Sequence, residues 1–165
     1  TMIDSEVVCW GRIVEKVLTD VLLKPIKEEL LPTEDSVNLT KRQKDFEQTL
    51  IKDFKNNDRF PNIGWWARTL EFVRHQERYE ADYVKTLRRH LQRGEFSLFW
   101  EKGEADVLVL IKALWNARNN AAHAGKVDEF KAQKARQLIS LNRNPGILFQ
   151  ALGLYSLTKQ GPQKA

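Results

Sequence analysis

Apolar residues recur at the spacing of a helix face along most of this chain. The first such face consists of Val14, Leu18, Val21 and Leu22. No alternation of apolar and polar residues reaches strand length, and 8 glycines and 5 prolines are too few for a sandwich with many tight turns. The pattern therefore predicts an all-α fold, a single helical bundle of six or seven helices.

The size and composition of the chain agree with one soluble globular domain. The chain has 165 residues, of which 42% are hydrophobic and 30% charged, and these values exclude a disordered or fibrous protein. We expect the bundle over residues 5–142, a further helix packed on it over residues 143–157, and a flexible tail over residues 158–165. The longest apolar run, residues 107–111, is too short to span a bilayer, so no membrane partner is expected.

Local signals predict where several helices begin, bend and end. The first helix is expected over residues 5–23, after which Pro25 bends or restarts it. Thr40 and Gln43 have the spacing of a capping box. Asn144 followed by Pro145 predicts an N-cap and first turn, and therefore the start of the last helix.

Cysteine and tryptophan are expected in structural positions. Cys9 is the only cysteine, which excludes an intrachain disulfide and a zinc site built on cysteine pairs. A reducing, cytoplasmic setting and a buried thiol follow as expectations. Trp65 and Trp66 are predicted to anchor the core or an interface, and stacking on nucleic-acid bases is the alternative.

One polar motif interrupts an otherwise apolar helix pattern. It contains Arg118, Asn119, Asn120 and His123, and the two asparagines are poor helix formers. Histidine transfers protons near neutral pH, and arginine binds a phosphate through two parallel hydrogen bonds. These residue types suit cleavage of a phosphodiester. The three histidines lie far apart in sequence, so neither a metal site nor a cofactor is predicted.

The spacing of the motif leaves two interpretations open. Asn119 and His123 are four residues apart and share a helix face, whereas Arg118 lies about 140° around the helix from His123. Arg118 therefore needs its long side chain, a helix break or a partner subunit to meet the histidine. The alternative is that the arginine and histidine only cap the end of a helix.

Arg118, Asn119 and His123 resemble the signature of the HEPN superfamily (higher eukaryotes and prokaryotes nucleotide-binding), whose all-α domains carry Arg, a polar residue and a later His. The flanking sequence is similar too, with an apolar helix before the motif and an amphipathic helix after it. Leu23, Pro25, Ile26 and Leu30 also match the end of the first helix in an HEPN variant fused to larger nucleases and ATPases. The resemblance covers residues 5–142.

The resemblance implies a metal-independent endoribonuclease in which the ribose 2′-hydroxyl attacks the adjacent phosphate. It implies that Arg118 and His123 are catalytic and that Asn119 assists them in a homodimer whose two motifs face each other. It further implies a toxin or effector of a prokaryotic defence or toxin–antitoxin system, with an antitoxin or a fused or associated ATPase as partner. The alternative is an inactive HEPN domain that serves as an RNA-binding or assembly module.

The charge distribution suggests where RNA would contact the chain. The overall net charge is +5, but residues 41–93 and 126–165 each carry +5 while residues 94–125, which contain the motif, carry −1. We expect RNA contacts at Asn120, Lys126, Arg88, Arg89 and Arg93. A solvated helix face is the alternative for the three arginines.

Overall fold

The computed structural model describes residues 2–100, 106–122, 129–141 and 144–154. Seven α-helices lie within these ranges, so the predicted all-α class is confirmed. They are α1 (Met2–Leu18), α2 (Lys41–Thr49), α3 (Ile63–Arg74), α4 (Asp82–Leu91), α5 (Val107–Ala122), α6 (Glu129–Arg136) and α7 (Ile147–Ala151). A short antiparallel ladder pairs β1 (Ser140–Leu141) with β2 (Asn144–Pro145). Within these ranges no helix is long and apolar enough to cross a membrane.

The chain divides into two compact units. The inner unit covers Glu15–Gln92, and the terminal unit combines Thr1–Val14 with Arg93–Ala165. The inner unit contains α2, α3 and α4, and the terminal unit contains α5, α6, α7 and the short ladder.

The helix that begins with α1 changes its hydrogen-bond pattern where it enters the inner unit. A π-helical turn, Thr19–Leu23, follows α1 directly and leads into a 3₁₀-helix, Lys24–Glu29. Pro25 lies in the first turn of that 3₁₀-helix. Because it has no N–H, the series of π-helical hydrogen bonds ends with the Lys24 N–H, which donates to the Thr19 carbonyl. The helical region begins at Met2, three residues before the predicted start, while its end at Leu23 and the restart at Pro25 are as predicted.

The core of the inner unit is centred on a cluster of aromatic side chains. Trp65 packs edge-on against Trp66, with ring centroids 5.1 Å apart, and stacks on Tyr83 at 5.7 Å. Trp65 is 4% exposed and Trp66 is fully buried, which confirms their prediction as core anchors. Burial also raises the pKa of the Tyr83 phenol. Six leucines of the inner unit are also fully buried: Leu18, Leu22, Leu23, Leu30, Leu50 and Leu87.

Side-chain caps fix the starts of α2 and α3. The Oγ1 of Thr40 accepts a hydrogen bond from the Gln43 N–H at 3.2 Å, as the capping-box spacing predicts. The Gln43 amide does not return to the backbone; it donates to Glu77 Oε2 at 2.9 Å. Asn62 caps α3 in the same way, because its Oδ1 accepts from the Trp65 N–H at 2.9 Å.

The terminal unit is built on α5, which packs along α6. Asp106 stands immediately before α5, and its Oδ1 accepts hydrogen bonds from the N–H groups of Leu108 (2.8 Å) and Val109 (3.3 Å). The core contains fully buried apolar residues from α1, α5, α6 and the segment after it: Val7, Val14, Leu110, Ile111, Leu114, Ala135 and Leu138.

Two sequence predictions are wrong in this unit. Asn144 does not cap the last helix, because it pairs in β2 while Gly146 precedes α7 and donates its N–H to the Ile139 carbonyl. Cys9 is exposed rather than buried. It lies two residues from buried Val7, about 200° around α1, and therefore on the opposite face of the helix.

Gly146 gives a direct test of this packing. A Cβ atom at position 146 would overlap the carbonyl group of Leu138, whereas a Cβ at Gly94 would have nothing within 4 Å. Gly146→Ala is therefore expected to lower the free energy of unfolding by about 2 kcal/mol, and Gly94→Ala to leave it nearly unchanged. Urea unfolding followed by circular dichroism measures both, and equal effects of the two substitutions would contradict this packing.

Candidate functional site

The last turns of α5 carry the described part of the polar motif. Ala117 and Leu114 are fully buried, so the helix is anchored on its apolar face up to the motif. Asn119 and Asn120 are exposed, and Arg118 is half-buried. His123 and Lys126 lie outside the described residues. The helix therefore presents two amide side chains at its surface beside an arginine that is partly enclosed.

A glycine in α1 makes room for the Arg118 side chain. Gly11 is buried, and a Cβ atom at that position would lie 3.0 Å from Arg118 Cδ and 3.2 Å from Arg118 Nη1. Glycine inside a helix costs about 1 kcal/mol relative to alanine, so this residue weakens α1 locally. Because Gly11 has no side chain, the guanidinium group of Arg118 lies directly against the backbone of α1.

Arg118 is the cationic residue in the described last two turns of α5. The carboxyl end of a helix carries a partial negative charge, which disfavours an anionic ligand. Asn119 and Asn120 are neutral donors and acceptors. Among the described residues at the end of α5, the guanidinium group of Arg118 is the one whose parallel N–H donors match two acceptor oxygens of a phosphate.

Arg88 has a structural position in the inner unit. It is 7% exposed, and its Nη1 and Nη2 each lie 2.6 Å from an oxygen of the Glu80 carboxylate. The same guanidinium donates through Nε to the Val73 carbonyl at 2.7 Å and through Nη2 to the Phe72 carbonyl at 2.8 Å. Because its donors already have protein acceptors, we leave Arg88 out of the expected RNA contacts.

The charge of Glu80 depends on this pairing. Burial acts to raise the pKa of Glu80, but the hydrogen bonds from Arg88 and from the Glu77 N–H outweigh it, so the pKa is lowered from 4.5. A lowered carboxyl pKa contributes stability that is present above the unfolded value and is lost as the pH falls through the folded value. The pair therefore stabilises the inner unit at neutral pH and weakens under acid conditions.

The other arginines of the predicted basic cluster are exposed. Arg89 donates from Nη2 to Thr86 Oγ1 at 3.2 Å and keeps an exposed side chain, and Arg93 follows the end of α4. The helix pattern separates Arg89 from Arg88: Lys85, Arg89 and Gln92, at i, i+4 and i+7, form one exposed stripe, and Arg88 lies off it. This stripe is a signal in the sequence that distinguishes the two arginines.

The inner unit also has a polar groove of about 300 Å³ beside the start of α4. Its lining mixes carboxylates with cations, and it includes Tyr79, Asp82 and Lys85 but none of the predicted site residues. Thr33 lines this groove and connects two helices: its N–H donates to Glu47 on α2, and its Oγ1 accepts the N–H of Asp82 at the start of α4. This mixture of charges indicates no single class of ligand. In the described part of the chain, no three His, Cys, Asp or Glu residues are grouped as metal ligands.

Neighbouring arginines on α4 test the structural position of Arg88. Arg88→Ala leaves Glu80 buried without its cation and is expected to cost about 3 kcal/mol of the free energy of unfolding at pH 7. Arg89→Ala, on the exposed stripe, is expected to change it by less than about 0.5 kcal/mol. Chemical denaturation measures both variants, and similar effects of the two would refute the buried pair.

Gly11→Ala tests whether α1 sets the position of Arg118. The added Cβ would press on the Arg118 side chain and displace its guanidinium group, while Gly94→Ala meets open space. We expect the Nε–Hε resonance of Arg118, assigned with Arg118→Lys, to move in a ¹⁵N-correlated NMR spectrum of Gly11→Ala and not of Gly94→Ala. An unmoved resonance in both variants would show that Gly11 does not position the arginine.

Comparison with known proteins finds no relative of this chain. No family model matches the chain, and no curated protein or solved structure matches it either. The resemblance to HEPN domains therefore rests on the motif residues and their helical setting.

Proposed function

We propose that this chain is an HEPN-type, metal-independent endoribonuclease domain whose site includes Arg118, Asn119 and His123. The observation that carries the proposal is the end of α5, where exposed Asn119 follows an arginine fitted against the glycine backbone of α1. His123 follows four residues after Asn119 in the sequence. Cleavage of a phosphodiester uses three kinds of group: a cation that binds the phosphate, an amide that orients it, and an imidazole that transfers protons.

The proposed reaction is an internal transfer within the RNA. The 2′-oxygen forms a bond to phosphorus while the bond from phosphorus to the 5′-oxygen breaks, which leaves a 2′,3′-cyclic phosphate and a 5′-hydroxyl. His123 takes the proton of the 2′-hydroxyl, and the leaving 5′-oxygen receives a proton from the second motif of a dimer. Arg118 stabilises the negative charge that grows on the phosphate, and Asn119 orients the imidazole or the phosphate.

A homodimer is part of the proposal for a geometric reason. On one straight helix Arg118 and His123 point about 140° apart, which separates the phosphate-binding group from the proton-transferring group. Two copies of the motif that face each other let the arginine of one chain act with the histidine of the other. Exposed Arg89 and Arg93, together with Asn120 and Lys126, are proposed to contact the RNA.

The biological setting follows from the resemblance alone. We place the domain in the cytoplasm, as the toxin or effector of a prokaryotic defence or toxin–antitoxin system. An antitoxin, or a fused or associated ATPase, would be its regulating partner.

Substitution of the motif tests the proposed activity. The parent protein is expected to cut single-stranded RNA in EDTA, whereas His123→Ala and Arg118→Ala each lower the cleavage rate at least about 100-fold because they remove the proton transfer or the charge stabilisation. His75→Ala and Arg136→Ala, which remove exposed residues of the same types, are matched controls and retain the parent rate. Gel analysis of end-labelled RNA measures the rates, and circular dichroism confirms the fold.

Two results would overturn the proposal. One is a parent protein that cuts no RNA in EDTA, and the other is motif variants that cut as fast as the parent. RNA binding that weakens with salt, without cleavage, would replace the proposal with the inactive HEPN module as the function of the chain.

A further inference from the structure

Phe60 is an exposed aromatic residue that lies between two lysines in the inner unit. It is 42% exposed, in the connection between the π-helical segment after α2 and the start of α3. The Nζ atoms of Lys16 and Lys24 lie 5.4 Å and 5.7 Å from its ring centroid. Single apolar side chains are common on protein surfaces, so the exposure alone indicates nothing; what distinguishes Phe60 is the pair of ammonium groups at its ring.

Asp20 holds the two lysines at the ring. Its carboxylate lies 3.0 Å from Lys16 Nζ and 2.7 Å from Lys24 Nζ. The hydrogen bond from Lys24 is the main cause that lowers the pKa of Asp20, so the carboxylate stays ionised at neutral pH. One carboxylate between two ammonium groups leaves a net positive charge. Exposed Arg59 adds another beside Phe60, while the neighbouring carboxylate of Asp58 pairs with Lys27.

The backbone around Phe60 is fixed on both sides. Before it, Arg59 donates its N–H to the Asp53 carbonyl at 2.8 Å. After it, Pro61 is buried and Asn62 caps α3. The ring is therefore presented on an ordered connection, and a ligand that stacks on it would meet a low entropy cost for ordering the chain.

We propose that Phe60, Lys16 and Lys24, here called the Phe60 platform, form a binding site for single-stranded RNA. One unpaired base stacks on the open part of the ring, and the two ammonium groups contact the phosphates on either side of it. The side chains of Lys16 and Lys24 are 60% and 50% exposed, so a phosphate can reach their ammonium groups while Asp20 holds them beside the ring. The site requires no cleavage and does not rest on the function proposed for Arg118 and His123.

The ring distinguishes RNA from other polyanions. An acidic peptide or an inorganic polyphosphate would use the lysines alone, because neither has a flat base to stack on Phe60. The combination of an open aromatic ring with positive charge therefore favours a single-stranded nucleic acid over polyanions that lack bases.

Equilibrium binding tests the platform. The probe is a fluorescent oligouridylate of about 12 nucleotides, which has little structure of its own, measured by anisotropy in EDTA with the His123→Ala protein so that cleavage is avoided. We expect Phe60→Ala to weaken binding about tenfold and Phe60→Trp to retain the affinity, because stacking needs an aromatic ring. Replacement of both lysines by glutamine should reduce the slope of log K against log salt by about 0.7 per lysine.

Matched controls separate the platform from the overall charge. Tyr79→Ala removes another exposed aromatic residue of the inner unit, and Lys41→Gln with Lys44→Gln removes the same charge from exposed positions on α2. Both are expected to bind the RNA within about twofold of the parent. Thermal unfolding confirms that Phe60→Ala keeps the fold.

Three outcomes would overturn the proposal. The first is a Phe60→Ala protein that binds oligouridylate as tightly as the parent. The second is a Tyr79→Ala or α2 control variant that loses as much RNA affinity as Phe60→Ala. The third is a Phe60→Ala protein whose affinity for polyphosphate or polyglutamate falls as much as its affinity for RNA. Suppose the parent chain cuts no RNA, but Phe60→Ala lowers the affinity for RNA and not for the other polyanions. The Phe60 platform is then supported, while the proposed cleavage fails.

Discussion

The buried ion pair between Arg88 and Glu80 holds the inner unit together. One guanidinium group neutralises a buried carboxylate and also satisfies two carbonyls at the end of α3, those of Phe72 and Val73. Those groups would otherwise be buried without partners, at a cost of several kcal/mol. The pair therefore fixes α4 against α3, and with them the aromatic cluster around Trp65.

Arg118 is held in a different way. It lies against a helix that lacks a side chain at Gly11, at the end of a helix whose next residues are exposed amides. Arg88 is buried and pairs with Glu80, whereas Arg118 is a half-buried residue at the end of α5. This difference in setting, together with the sequence motif, is why the proposed chemistry is assigned to Arg118.

The helical class, the restart at Pro25, the cap at Thr40 and the burial of Trp65 were all predictable, because each follows from local spacing or residue type. The role of Arg88 was not predicted, because a run of basic residues does not reveal which of them faces a buried carboxylate eight residues away in sequence. The failure of Asn144 as a cap has a similar cause, since the backbone beside it pairs with β1. The contact between Gly11 and Arg118 joins residues far apart in sequence, and only the fold brings them together.

The chemical identity of the cut RNA ends tests the central claim most directly. If Arg118 and His123 direct the 2′-hydroxyl against its own phosphate, mass spectrometry of RNA cut in EDTA will find 2′,3′-cyclic phosphates opposite 5′-hydroxyl ends. A single 2′-deoxy residue at the cleaved position will block the cut. Ends that carry a 3′-hydroxyl, or unchanged cleavage of the 2′-deoxy substrate, would contradict the account.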